Sequence, residues 1–171
     1  NILLVAGAPS PDVSALTRIL KDDDTATINR FVQAPNGSFY EGDLPDDLSE
    51  VDLMVLIGFP SSATPAALSR KLADLAGSGT PVFLIHDRST QLQMLRQDWS
   101  SVLPIQPDVI RPNFVAGRFR LTTAASSHVV FDMGERRDNA SWTRLPPLSL
   151  GESRWTLAPG ATVLATGEMR G

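Results

Sequence analysis

His86, Asp87, Arg88 and Ser89 follow the apolar run Pro81-Val-Phe-Leu-Ile85 without a gap, and a helical pattern of apolar residues starts at Leu92. The stretch from Thr80 to Leu95 reads as a buried strand, a polar turn and an amphipathic helix. In α/β hydrolytic enzymes such a junction often presents a nucleophile. A histidine, a carboxylate and a hydroxyl side by side are the residue types for general-base and nucleophilic chemistry, so a hydrolytic site of His86, Asp87 and Ser89 is one reading. However, His86 and Asp87 are adjacent, so their side chains diverge if the strand continues through them. Ser89 lacks the G-x-S-x-G elbow that exposes a catalytic serine. A second set would join Ser89 to His128 and Asp132, which lie on a separate segment. The competing structural reading has Ser89 or Thr90 capping the helix and His86 as a satisfied polar residue at a strand end. The chain has no cysteine, which excludes thiolate catalysis, disulfides and thiolate zinc sites. Two histidines cannot build a histidine-rich metal site. The acids of Asp43–Asp47 lack calcium-loop spacing and read as a solvated face. No catalytic residue, metal or cofactor is assigned.

Three strand–turn–helix units position these residues. Ile2–Ala6 is all apolar and ends at Gly7, as in a strand buried on both faces. Ser10 suits an N-cap, Pro11 the first helical position and Asp12 the positive helix end. Val13, Leu16 and Leu20 then share a helical face. Asp22–Asp24 reads as a solvated exit turn, Thr25–Val32 as a second strand, and Gln33–Ser49 as loop with a turn at Asn36-Gly37. Val51–Ile57 is the clearest strand and ends at Gly58. Thr64 is expected to cap a helix that has Pro65 at its first position, Leu68, Leu72 and Leu75 on one face, and Gly77-Ser-Gly79 at its end. Pro81–Ile85 is the next strand, and the helix after it carries Leu92, Leu95, Trp99 and Val102. This alternation predicts a parallel sheet with helices on both faces and right-handed crossovers, with strand 2–6 between the second and third strands. Beyond residue 110 the pattern changes. Phe114–Thr123 alternates as an antiparallel or edge strand. Val129–Met133 is apolar, Trp142–Pro147 is a rigid extended segment, and Ala161–Thr166 reads as a last strand.

In such a sheet the loops Gly7–Pro11, Gly58–Ala63 and His86–Thr90 meet at the carboxyl edge, where ligands of open α/β sheets sit. The candidate ligand-binding residues are therefore Pro9, Ser10, Phe59, Ser61, His86, Asp87, Arg88 and Ser89. Prolines at two of the helix starts remove donor amides, and neither G-x-G-x-x-G nor a Walker loop occurs. Phe39 and Tyr40 lie in a polar loop and mark a candidate contact surface. Trp142, Trp155 and Phe114 read as packing residues.

Composition bounds the partners. The 171 residues are 42% hydrophobic and 20% charged, with a net charge of −4. That suits one globular α/β domain over residues 1–171. Residues 1–50 carry nine acids against three bases, and the rest ten against twelve. Neither part has a basic run, so nucleic acid is not an expected partner. No stretch approaches the roughly 20 apolar residues of a membrane span, and Ile2–Ala6 is too short to act as a secretory leader. Opening directly on a strand and closing on Glu-Met-Arg-Gly, the chain is expected to be a piece of a longer one.

Leu3-Leu-Val-Ala-Gly-Ala-Pro-Ser-Pro11 with its leucine helix, Val51-Asp-Leu, Leu56-Ile-Gly-Phe-Pro60, Leu103-Pro104, Trp142-Thr-Arg-Leu-Pro-Pro147, Pro159-Gly-Ala161 and Val163-Leu-Ala165 occur in an order that spans nearly the whole chain. In this order they resemble a bacterial class I glutamine amidotransferase-like domain, the version inside large membrane-anchored proteins that also carry a von Willebrand A-like domain. The resemblance implies a flavodoxin-like three-layer sandwich with a mostly parallel sheet and an antiparallel C-terminal extension. It also implies a place between transmembrane segments outside this sequence, on the extracytoplasmic side of the cell envelope, with a cytoplasmic location as the alternative. The amidotransferases carry a cysteine elbow after the strand that matches Pro81–Ile85, and a later His-x-Glu pair. Here Ile85-His-Asp-Arg-Ser89 stands at the elbow, and Val-Val follows His128. The activity is therefore not carried over. The expected function is a non-catalytic interaction or sensing domain of a larger envelope protein, meeting another protein or other domains of its own chain. The alternatives are a hydrolase of another class and a small-molecule binding domain using the same loops.

Overall fold

In a computed structural model of the chain, residues 1–131 and 145–169 are described. The fold is mixed α/β, with one four-stranded parallel sheet and two smaller antiparallel sheets. Strands β1 (Ile2–Ala6), β2 (Ile28–Val32), β3 (Leu53–Ile57) and β4 (Val82–Ile85) lie in the order β2-β1-β3-β4. All three pairings are parallel, and β1 lies between β2 and β3 as expected.

The apolar runs of β1 and β3 come from burial on both faces. Leu3 and Val5 join Met54 and Leu56 on one face, under Leu72, Ala73 and Ala76 of α2 (Ala66–Gly77) and Leu92 and Leu95 of α3 (Leu92–Asp98). Leu4 and Ala6 join Val55 and Ile57 on the other, under Val13, Leu16 and Leu20 of α1 (Pro11–Lys21). Helix α1 begins as its sequence requires: Ser10 is the N-cap and accepts the Val13 amide at 3.4 Å, Pro11 comes first, and Asp12 lies in the first turn. On the edge strand β4, Val82 and Leu84 face the α2–α3 core, while Phe83 on the opposite face stays 51% exposed.

Several expectations need correction. Strand β2 starts at Ile28 rather than Thr25, because Asp23 accepts both the Thr25 amide and its hydroxyl and holds that segment in the exit turn. Pro65, not Thr64, is the N-cap of α2; the Thr64 hydroxyl is used elsewhere. Neither Ser89 nor Thr90 caps α3, whose N-cap is Gln91. That helix stops at Asp98, and Trp99 and Leu103 continue the buried face through a turn.

The C-terminal part is antiparallel. Strand β6 (Phe114–Leu121) pairs with β7 (Leu148–Gly151) and β9 (Ala165–Met169), and β5 (Ile105–Val109) pairs with β8 (Arg154–Leu157). The last strand lies four residues beyond the expected start at Ala161. Val129–Phe131 forms a short 3-10 turn; Asp132, Met133 and Trp142–Arg144 lie outside the described residues. Among the described residues no helix is long and apolar enough to cross a membrane.

Leu56 is fully buried in an interior strand with helices on its own face. Leu56→Ala is expected to cost about 2–5 kcal/mol, through lost transfer energy and a residual cavity. Urea denaturation measures this directly. A loss below about 0.5 kcal/mol, within the scatter of surface substitutions, would contradict the placement.

Candidate functional site

Strands buried on both faces leave their polar connections at the ends. At the carboxyl end two glycines let three loops close in. A Cβ on Gly7 would collide with the Gly58 carbonyl oxygen, and a Cβ on Gly58, where φ is +59°, would collide with the Asp87 carboxylate and the Ser89 hydroxyl. Gly58 thus supplies both the backbone conformation and the clearance that the β4–α3 turn needs.

That turn is tied internally. Asp87 Oδ1 accepts the Ser89 amide at 2.7 Å and lies 2.6 Å from the Ser89 hydroxyl, which is also 3.0 Å from the Gly58 carbonyl. The Thr90 hydroxyl accepts the Asp87 amide at 3.1 Å. Ser89 therefore shares one proton between two acceptors. No histidine hydrogen-bonds it among the described residues.

The β2 and β3 ends are joined by a second network. Gln33, almost fully buried, accepts hydrogen bonds at Oε1 from Thr64 and from Ser61 (3.2 Å), and its amide nitrogen donates to the Gly37 carbonyl at 3.4 Å. Thr64 accepts the Ser61 amide at 2.8 Å, and Ser61 accepts the Ala63 amide at 3.2 Å. This is why Thr64 does not cap α2.

Between these networks lies a crevice of about 470 Å³, at the point where the strand order turns from β1–β2 to β3–β4. It holds Pro9, Ser61, Arg88 and Ser89 of the sequence-derived candidates, and also Gln33, Tyr40, Ser62 and Gln91. Gln33 Oε1 and Asp87 Oδ1 are already engaged as acceptors. The side chains of Ser62, Tyr40, Gln91 and Arg88 make no hydrogen bond among the described residues. Among the described residues no carboxylate lines the crevice, and Arg88 is its one charged side chain. Nothing in the family models, the curated proteins or the solved structures matches this chain.

The other candidates fall elsewhere. Ser10 is spent on the α1 cap. Phe59 is wholly buried and meets Trp99 edge-on, with ring centroids 6.4 Å apart. It is a core residue rather than a ligand contact, because its side chain packs in the cluster with Leu92, Leu95 and Trp99. His86 and Asp87 line a separate slot beside β6 and β7. His128 accepts the Val130 amide at 3.3 Å, and its proposed partner Asp132 lies outside the described residues. Phe39 packs on Phe31, whereas Tyr40 is 63% exposed at the crevice rim. Among the described residues no three His, Asp or Glu side chains gather as a metal site. Sequence reasoning missed Gln33, Ser62 and Gln91, which carry no motif. The one available signal for Gln33 is its place directly after the apolar end of β2.

His86 is clamped between Phe114 and Trp155, at ring-centroid distances of 5.3 and 5.4 Å, with Nδ1 buried and unpartnered among the described residues. Burial holds its pKa below the usual histidine value, partly offset by the Asp87 charge. The unfolded chain then binds the proton more tightly, so the stability His86 contributes is full above the ordinary histidine range near 6.5 and falls as pH drops toward the lowered folded value. Denaturation midpoints of wild type are expected to fall more between pH 7.5 and 5.5 than those of His86→Phe. Equal falls in the two proteins would refute this protonation penalty.

Gln33 gives a second, pH-independent expectation. Gln33→Leu strands the Thr64 and Ser61 hydroxyls in a buried site, at a cost of about 1–3 kcal/mol. Calorimetric unfolding with an unchanged midpoint would show that the network carries no such weight.

Proposed function

We propose that this chain is a non-catalytic sensing domain that binds a small anionic ligand in the crevice at the carboxyl edge of its parallel sheet. One observation carries the reading. In a chain of net charge −4, the crevice lining among the described residues has one charged side chain, Arg88, and no carboxylate. A guanidinium presents a fork of donors suited to a carboxylate or phosphate. The hydroxyls of Ser62 and Tyr40 and the Gln91 amide supply further donors around it. The volume of about 470 Å³ suits a small molecule.

The strand order β2-β1-β3-β4 with helices on both faces supports a flavodoxin-like three-layer sandwich. It agrees with the resemblance to a class I glutamine amidotransferase-like domain whose elbow has lost its cysteine. In that reading the domain serves a larger bacterial envelope protein from the extracytoplasmic side, and passes ligand occupancy to other domains or to a protein partner. Catalysis by Ser89 lacks support: its hydroxyl faces a carboxylate and a carbonyl, with no imidazole to accept its proton.

Two measurements test the proposal. Titration of the labelled protein with acetate and with inorganic phosphate is expected to move the amide resonances of Gly7, Ala8, Ser62, Ala63, Arg88 and Gln91. Arg88→Gln is expected to weaken that binding by about tenfold or more, the worth of a charged hydrogen bond. Absence of any shift, or shifts untouched by Arg88→Gln, would overturn it. A hydrolase screen including glutamine is expected to stay at the buffer blank. Turnover that falls by about 100-fold or more in Ser89→Ala or His86→Ala, the scale of a lost nucleophile or base, would establish the enzyme reading instead.

A further inference from the structure

Arg88 walls two cavities. Besides the crevice, it borders a slot of about 530 Å³ between the end of β4, the first turn of α1 and the β6–β7 pair. Ile85, Phe114, Leu148 and Leu150 give the slot apolar walls. The Arg88 guanidinium carbon lies 5.6 Å from the Phe114 ring centroid, so the cation stands at the divide between the two cavities. An anion held by Arg88 is thereby placed beside an apolar surface. No side chain among the described residues forms an ion pair with Arg88.

His86 adds a donor. Its Nδ1 is buried without a partner among the described residues, and an orphaned N–H there costs more than an orphaned lone pair. The neutral ring then carries its proton on Nε2, the atom that faces the β7 wall, 3.1 Å from where a Cβ on Gly151 would stand. The acids bordering the slot limit the ligand's charge. Asp12 stands in the first turn of α1, and Asp87 is held by Ser89. Two carboxylates repel a dianion; one guanidinium still pairs with a single negative charge.

We infer that the ligand is an amphipathic monocarboxylate, with its carboxylate on Arg88 at the divide between crevice and slot and its apolar chain in the slot against Phe114 and Leu148. This inference rests on the proposed anion-binding role of the crevice and names the ligand class for it. The slot contributes through burial of methylenes, each worth about fourfold in affinity when fully covered.

The test titrates the whole chain with acetate, hexanoate and inorganic phosphate by calorimetry, or by amide shifts where binding is weak. Hexanoate is expected to bind at least about tenfold more tightly than acetate, since four added methylenes enter the slot, and phosphate no more tightly than acetate. Leu148 is 45% exposed, so Leu148→Asp can be introduced without opening the core, and its amide spectrum checks the fold. In that variant the preference for hexanoate over acetate is expected to vanish, while Arg88→Gln weakens both. Equal binding of acetate and hexanoate, tighter binding of phosphate, or a hexanoate preference that survives Leu148→Asp would each overturn the inference and leave the anion-binding reading standing. Failure of all three anions to bind would remove both.

Discussion

Double-sided burial of β1 and β3 is the constraint on which the remaining structure depends. Leu4, Val5, Met54 and Leu56 are inaccessible to solvent, and the helices that cover them come from opposite sides. No polar side chain fits along these strands without losing its hydration. Polar chemistry is thereby confined to the strand ends. At the carboxyl end, the close approach of Gly7 to Gly58, and of Gly58 to the Asp87–Ser89 turn, brings the loops within reach of one another. The crevice follows from where the core stops.

The polar groups at that edge divide into two kinds. Gln33, Ser61, Thr64, Asp87 and Ser89 satisfy one another and hold the loops at fixed spacing. Arg88, Ser62, Tyr40 and Gln91 make no side-chain hydrogen bond among the described residues. A hydroxyl such as that of Ser89 is thus structural although it stands at a strand-to-helix junction. The distinction lies in its partners: a carboxylate already engaged by an amide holds Ser89 in a turn, whereas an imidazole would accept its proton.

The parallel sheet was legible because its strands are short apolar runs ended by glycine or a polar turn, and its helices keep leucines three and four residues apart. The α1 start was legible to the residue, since Ser10, Pro11 and Asp12 each have a local physical role. Thr64 misled because its capping geometry is a local preference, overridden by a buried acceptor 31 residues away on Gln33. Strands β5, β7 and β8 were missed. They are four or five residues long, mostly half-exposed, and β5 contains Pro107 beside a register shift, so neither length nor alternation marks them. At the site, Arg88 and Ser89 were legible from the strand-to-helix junction. Phe59 was not separable from its neighbours, because only packing against Trp99 decides that it points inward.

The proposed binding mode requires that Arg88 receive a ligand carboxylate. The most direct measurement is a crystal soaked in 4-bromobenzoate, with the bromine located by anomalous scattering. The carboxylate is expected on the Arg88 guanidinium and the bromine against Phe114 and Leu148. Bromine density only at sites remote from Arg88, or none in a crystal soaked to saturation, would contradict it.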